Sequence, residues 1–143
     1  MSTVSEAKMK GMLIVLLLAC GTAQAADWIR ISAKGVPVQE YVDRSSIQVD
    51  GNRRTAWVRY TFKANTHIER KKAVASSVEL TDVLCDSKEV RLLSITLFYE
   101  DGSSDHDAAA RQWEPIPPET GSDDAMKYLC KLSSGEKKKE APQ

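Results

Sequence analysis

The sequence predicts an α+β domain: an antiparallel, meander-like sheet of about five to six strands, with one C-terminal helix tethered to it by a disulfide. Three observations point there. Short runs of alternating apolar and polar residues recur, with Asp50-Gly51 and Asp101-Gly102 marking hairpin reversals between them. A helical spacing of apolar residues stands out after Gly121. Cys85 and Cys130 are the cysteine pair that a processed chain retains.

Residues 1–25 read as a signal peptide. Lys8 and Lys10 supply the positive start, Gly11 to Ala19 the apolar stretch, and Ala23-Gln24-Ala25 the small residues that signal peptidase accepts. The apolar stretch holds about nine residues against the roughly 20 of a spanning helix, so it does not read as a retained anchor. Met9 is an alternative start, since Met9-Lys10 opens a shorter but complete signal. Leu17-Leu18-Ala19-Cys20-Gly21 also resembles a bacterial lipobox, in which Cys20 is lipidated and becomes the first residue. Cleavage after Ala25 would leave the domain in the periplasm. Lipidation of Cys20 would hold it at the outer membrane or cell surface, the one route by which this chain is expected to meet a membrane.

The domain itself is expected over residues 26–132. Asp27 to Ser32 alternates around Trp28 and reads as a first strand. Tyr41-Val42-Asp43 and Ser46 to Val49 are short apolar runs that lead into the Asp50-Gly51-Asn52 turn. On the return strand, Thr55 to Phe62, Ala56, Val58, Tyr60 and Phe62 share one face, and Trp57, Arg59 and Thr61 the other. One face is therefore buried and the other at least partly wet. Residues 63–72 are polar and aperiodic, a loop or hairpin end. Ala73 to Cys85 is a long strand rich in valine, serine and threonine, and Asp86-Ser87-Lys88 turns the chain. Val90 to Tyr99 is the strongest strand. Trp113 to Pro118 is held extended by three prolines, with Trp113 expected against the sheet.

In the helix after Gly121, Ser122 is the expected N-cap and Asp123 and Asp124 suit the positive first turn. Met126, Leu129 and Cys130 fall on one face, with Lys127 and Lys131 toward the negative end. About ten residues do not hold a helix alone, so it must dock. A Cys85–Cys130 bond would dock it, closing a loop of about 46 residues for roughly 4 kcal/mol of unfolded-state entropy. The other reading is two buried free thiols. Residues 133–143 form a polar tail, expected to be disordered.

Composition narrows the function. The chain is 42% hydrophobic and 28% charged, with 20 basic and 20 acidic side chains. Without Lys8, Lys10 and Glu6 of the leader, 18 basic side chains face 19 acidic ones. So even a balance exerts little long-range pull on nucleic acid, and no nucleic-acid partner is expected.

Candidate chemistry is sparse. Asp105-His106-Asp107 combines metal-ligand types, but neighbours on a strand point to opposite faces, and His67 lies in a separate loop. An exposed, charged edge strand explains the triplet better. No nucleophile elbow or His-Glu-x-x-His motif occurs, and the Glu100-Asp101 and Asp123-Asp124 pairs have local turn and helix-start roles. No catalytic residue, metal ligand or cofactor is expected, and the chain does not read as an enzyme. Pro115-Ile116-Pro117-Pro118 is a rigid connector. Of the basic clusters, Lys137-Lys138-Lys139 lies in the tail. Arg53-Arg54 and Arg70-Lys71-Lys72 could meet at one end of the sheet as a patch for polyanions or acidic partners, against a default of solvated loop charge.

Taken in order, several motifs resemble the surface-adhesin protein E family. They are Trp28, Tyr41-x-Asp43-x-x-Ser46-Ile47, Trp57-Val58, Leu84-Cys85-Asp86, Arg91-Leu92-Leu93-Ser94, Trp113-x-Pro115-Ile116-Pro117-Pro118 and Tyr128-Leu129-Cys130-Lys131. The stretches 63–72 and 103–111 are less family-like. The resemblance implies an antiparallel sheet with a helix held across it by the disulfide, and an envelope or surface protein without enzymatic activity. It also implies binding to extracellular-matrix proteins and glycoproteins, and the capacity to form a homodimer. A periplasmic accessory protein contacting envelope proteins or glycans is the other expectation. The matched residues are structural ones, so binding is expected in loops and on a sheet face.

Overall fold

The long alternating runs become the middle of one sheet. In chain order the strands are β1 (Trp28–Arg30), β2 (Val38–Asp43), β3 (Gln48–Asp50), β4 (Arg53–Phe62), β5 (Ile68–Glu69), β6 (Lys72–Leu84), β7 (Glu89–Tyr99), β8 (Ser104–Asp107) and β9 (Glu114–Pro115), followed by helix α1 (Gly121–Cys130). This is a computed structural model that describes residues 25–108 and 110–132. Residues 1–24, which hold Cys20 and nearly all of the expected signal peptide, and the expected tail at 133–143 with Lys137-Lys138-Lys139 lie outside the described residues.

Every pairing is antiparallel, along the path β1-β2-β4-β6-β7-β8. The meander is as expected, but among the described residues the sheet has nine strands rather than five to six. The surplus is short pieces. β2 and β3 both pair with β4, interrupted by a 3-10 turn at Arg44–Ser46. β8 and β9 share β7 in the same way, and β5 folds onto the start of β6 within the segment read as loop or hairpin end. Alternation over two or three residues is too brief to register as a strand. The hairpin turns fall where the dipeptides put them, with Gly51 at φ 58° and Gly102 at φ 82°, a region that glycine enters without strain.

Strand register assigns the faces. Val42, Val58 and Ala56 turn one way, across from Thr81 and Val83, and α1 lays Ala125, Met126 and Leu129 on them. Leu129 and Val42 are fully buried. Each such side chain stabilises the fold by roughly 1.5–3 kcal/mol. The Cys85–Cys130 bond, with Cα atoms 5.6 Å apart, joins the residue after β6 to the last residue of α1. Arg54 adds a second tie at that end, donating from Nη2 to the carbonyl of Leu132 at 3.0 Å.

The other end of the helix is a correction. The N-cap is Thr120, not Ser122: the Thr120 hydroxyl oxygen accepts from the Asp123 amide, and Asp123 accepts in turn from the Glu119 amide at 3.0 Å. Asp123 also bridges Lys127 at 2.7 Å, an i,i+4 pair. The Thr120-x-x-Asp123 spacing is that of a capping box, which outranks an isolated serine two residues on. Thr120→Ala is expected to cost about 1 kcal/mol in chemical denaturation. An unchanged midpoint would remove the cap assignment.

Candidate functional site

The face away from α1 carries the tryptophans. Register brings Trp28 on β1 beside Tyr41 and Asp43 on β2, and Tyr41 opposite Arg59 on β4. The Arg59 guanidinium lies between two rings, 4.7 Å from the centroid of Trp28 and 4.6 Å from that of Tyr41. Further along, Arg91 stacks on Trp113 at 4.5 Å and pairs with Asp82 at 2.5 Å. Asp82 is buried and also accepts from the Thr55 hydroxyl at 2.6 Å. The Nε atoms of Arg59 and Arg91 are buried without a hydrogen-bond partner. Stacking therefore fixes Arg59, and stacking together with the Asp82 ion pair fixes Arg91, at roughly 0.5–2 kcal/mol for each ring contact. Trp57 and Leu80 face each other across β4 and β6 in the middle of this surface, both half-buried. The result is an amphipathic surface of stacked rings and guanidinium groups.

The helix side has a second feature. Beyond the start of α1 the same face opens into a groove of about 450 Å³. Tyr60, Ser77, Glu79, Leu92, Ile95 and Leu97 line it, and the ion pairs Arg70–Asp105 (3.2 Å) and Arg111–Asp107 (3.7 Å) border it. Glu79 accepts from the Ser77 hydroxyl at 2.9 Å. Burial pushes the Glu79 carboxyl above its ordinary range, while Ser77 and the charge of Arg111 pull it back. Neighbouring Glu40 is buried with its Oε2 unpartnered, and burial, with the charge of Asp124 adding, pushes its pKa up to about 7. Tyr60 is driven up as well, first by burial and then by the charges of Glu79 and Glu40. Gly121 starts the helix here because a Cβ would run into Glu40 Oε1 and the Tyr60 ring.

The basic clusters do not meet. Arg53 and Arg54 pair with Leu84 and Val83 at one end of β6, whereas Lys72 begins that strand and Arg70-Lys71 turn into it. Thirteen residues of strand hold the clusters roughly 40 Å apart. Arg54 is buried on the helix side, donating to carbonyls of Gly51, Arg53 and Leu132. Arg53 pairs with Asp50, Arg70 with Asp105, and Lys72 with Asp101. Among the described residues the two clusters therefore form no joint patch, the alternative set against solvated loop charge. The β8 triplet alternates as its strand period requires: Asp105 meets Tyr99 and Arg70, and His106 meets Thr96 at 2.8 Å on the opposite face. Sequence reasoning missed Glu40, Glu79 and the Arg59 stack.

A family model described as surface-adhesin protein E matches residues 28–131. The chain belongs to the surface-adhesin protein E family. Solved structures agree with this adhesin E fold. Crystal form II of Haemophilus influenzae protein E aligns with a TM-score of 0.53 at 19% identity, covering 80% of this chain and 94% of that one. The Se_Met form of the same protein aligns at 0.50 with 16% identity, covering 76% and 93%. At such identities the likeness is one of fold. No curated protein sequence matches the chain. Among the described residues, no helix of this adhesin E domain is long and apolar enough to cross a membrane.

Proposed function

We propose that this adhesin E domain is an exported, non-enzymatic binding module that contacts proteins or glycans through its open sheet face and loops. The arginine–aromatic surface supports this reading most directly. Tryptophan, tyrosine and arginine are the residues that dominate binding hot spots, the rings because they offer a large contact area at low ordering cost and arginine because its planar cation carries several donors. Here they are pre-stacked, which lowers that cost further.

The processed protein is expected to bind saturably to at least one of immobilised laminin, vitronectin, plasminogen or heparin. Fatty-acid labelling of Cys20 and protease accessibility on intact cells would accompany surface display. Background binding across that panel would overturn the reading. The Ala23-Gln24-Ala25 cleavage site favours a second one, a periplasmic accessory protein. Its signature is protection from external protease together with co-purification of one envelope partner.

A further inference from the structure

We propose that the groove beside the start of α1 is a docking site for a basic side chain, a lysine or arginine carried by an extended segment of a partner protein. The inference rests on the binding-module reading but uses the face opposite the tryptophans. Shape comes first. Residues on β4, β6, β7 and β8 line the groove, so it crosses four adjacent strands, roughly 14 Å at the usual strand spacing. That is longer than one side chain and suits a short stretch of chain. Its volume of about 450 Å³ lies within the range of ligand-binding clefts.

Chemistry then selects the occupant. Leu92, Ile95 and Leu97 form an apolar wall, and lysine and arginine lay their methylene stems along such surfaces. Charge decides the head group. The charged lining comprises Glu69, Glu79, Asp105 and Asp107 against Arg70 and Arg111, with His67, His106 and Tyr60 as the other ionisable groups. Asp105 and Asp107 hold the two arginines. Two acidic groups are then in surplus, and Glu79, which feels the charge of Arg111 but has no ion pair of its own among the described residues, sits inside the groove bonded to a neutral hydroxyl. A cation arriving there gains a charge-assisted hydrogen bond in a partly desolvated setting. An anionic sugar or phosphate would meet net repulsion there.

The test is a titration of the full processed protein, read from backbone amide shifts. The probe is a nonapeptide of serine and alanine with one central lysine, compared with the same peptide carrying norleucine there. The lysine peptide is expected to move the amides of Ser77, Glu79, Ile95 and Leu97 and to bind about tenfold tighter than the norleucine peptide, the worth of one hydrogen bond to a charged group. Glu79→Gln keeps the shape and the Ser77 bond and is expected to erase that difference. Asp50→Asn, the same charge change on the distant β3–β4 hairpin, is expected to keep it. Equal binding of the two peptides to the wild-type protein would overturn the proposal, and needs no variant to fold. Shifts that map elsewhere, discrimination that survives Glu79→Gln, or n-butylamine binding as tightly as the lysine peptide would also overturn it. Matrix binding that persists while the peptides fail would sink the groove and leave the proposed function standing.

Discussion

Reducing the Cys85–Cys130 bond, or replacing both cysteines by serine, is expected to lower the unfolding free energy by about 4 kcal/mol. The bond spans 45 positions, so opening it returns a long loop's worth of freedom to the unfolded chain. The loss is a large share of the roughly 5–15 kcal/mol that a domain of this kind has in total. It should also be uneven. α1 has ten residues, too few to persist undocked, so its helical signal should melt before the sheet's. Without the bond, that end of the helix would be held by Leu129 and Met126 on Val42, Ala56 and Val58, and by Arg54 on Leu132. Urea titrations of oxidised and reduced protein, followed by far-ultraviolet circular dichroism, give the number. Coincident transitions would show that the sheet holds the helix without the bond.

Glu40→Gln is expected to stabilise the domain at pH 8 by about 3 kcal/mol and to flatten its pH dependence. Folding raises this carboxyl from 4.5 to about 7. Below pH 4.5 the group is protonated in both states and costs nothing. Between pH 4.5 and 7 the unfolded chain has released the proton while the folded chain keeps it, so stability falls as pH rises. Above 7 the full cost remains. The α1 N-terminus beside Glu40 works the other way, yet Oε2 has no donor, so burial prevails. Glu79 shifts in the same direction, so a shallower slope should survive in the variant. Denaturation midpoints from pH 4 to 8 measure both slopes, and parallel curves for the two proteins would contradict the assignment.

What the sequence disclosed was mostly what a local period encodes. Ala56, Val58 and Tyr60 against Trp57 and Arg59 could be sorted into faces because a strand alternates, and the core bears that sorting out. The helix was readable from Met126, Leu129 and Cys130, and the bond from counting cysteines. Features set by pairing between distant segments were not readable. The separation of Arg53-Arg54 from Arg70-Lys71-Lys72 follows from the length of β6 and the direction of β4. The Trp28–Arg59–Tyr41 stack draws on three strands, and a one-residue slip in either register would undo it. Glu40 and Glu79 look like ordinary polar positions in sequence. Glu40 becomes buried because the start of α1 packs against it, and Glu79 is desolvated within the groove between strands, neighbours that no window around either residue contains.

The clamped helix occupies one face of the sheet and, on the proposed function, leaves the opposite face to bind. The most direct test of that binding face is the same matrix panel run with Trp57→Ser, which removes the ring at the middle of the open face while leaving α1 and the disulfide untouched. The variant is expected to melt as one oxidised, cooperative unit yet to bind its ligand at least tenfold more weakly than the parent, the loss expected of a hot-spot ring. Undiminished binding by the folded variant would contradict the proposed role of that face.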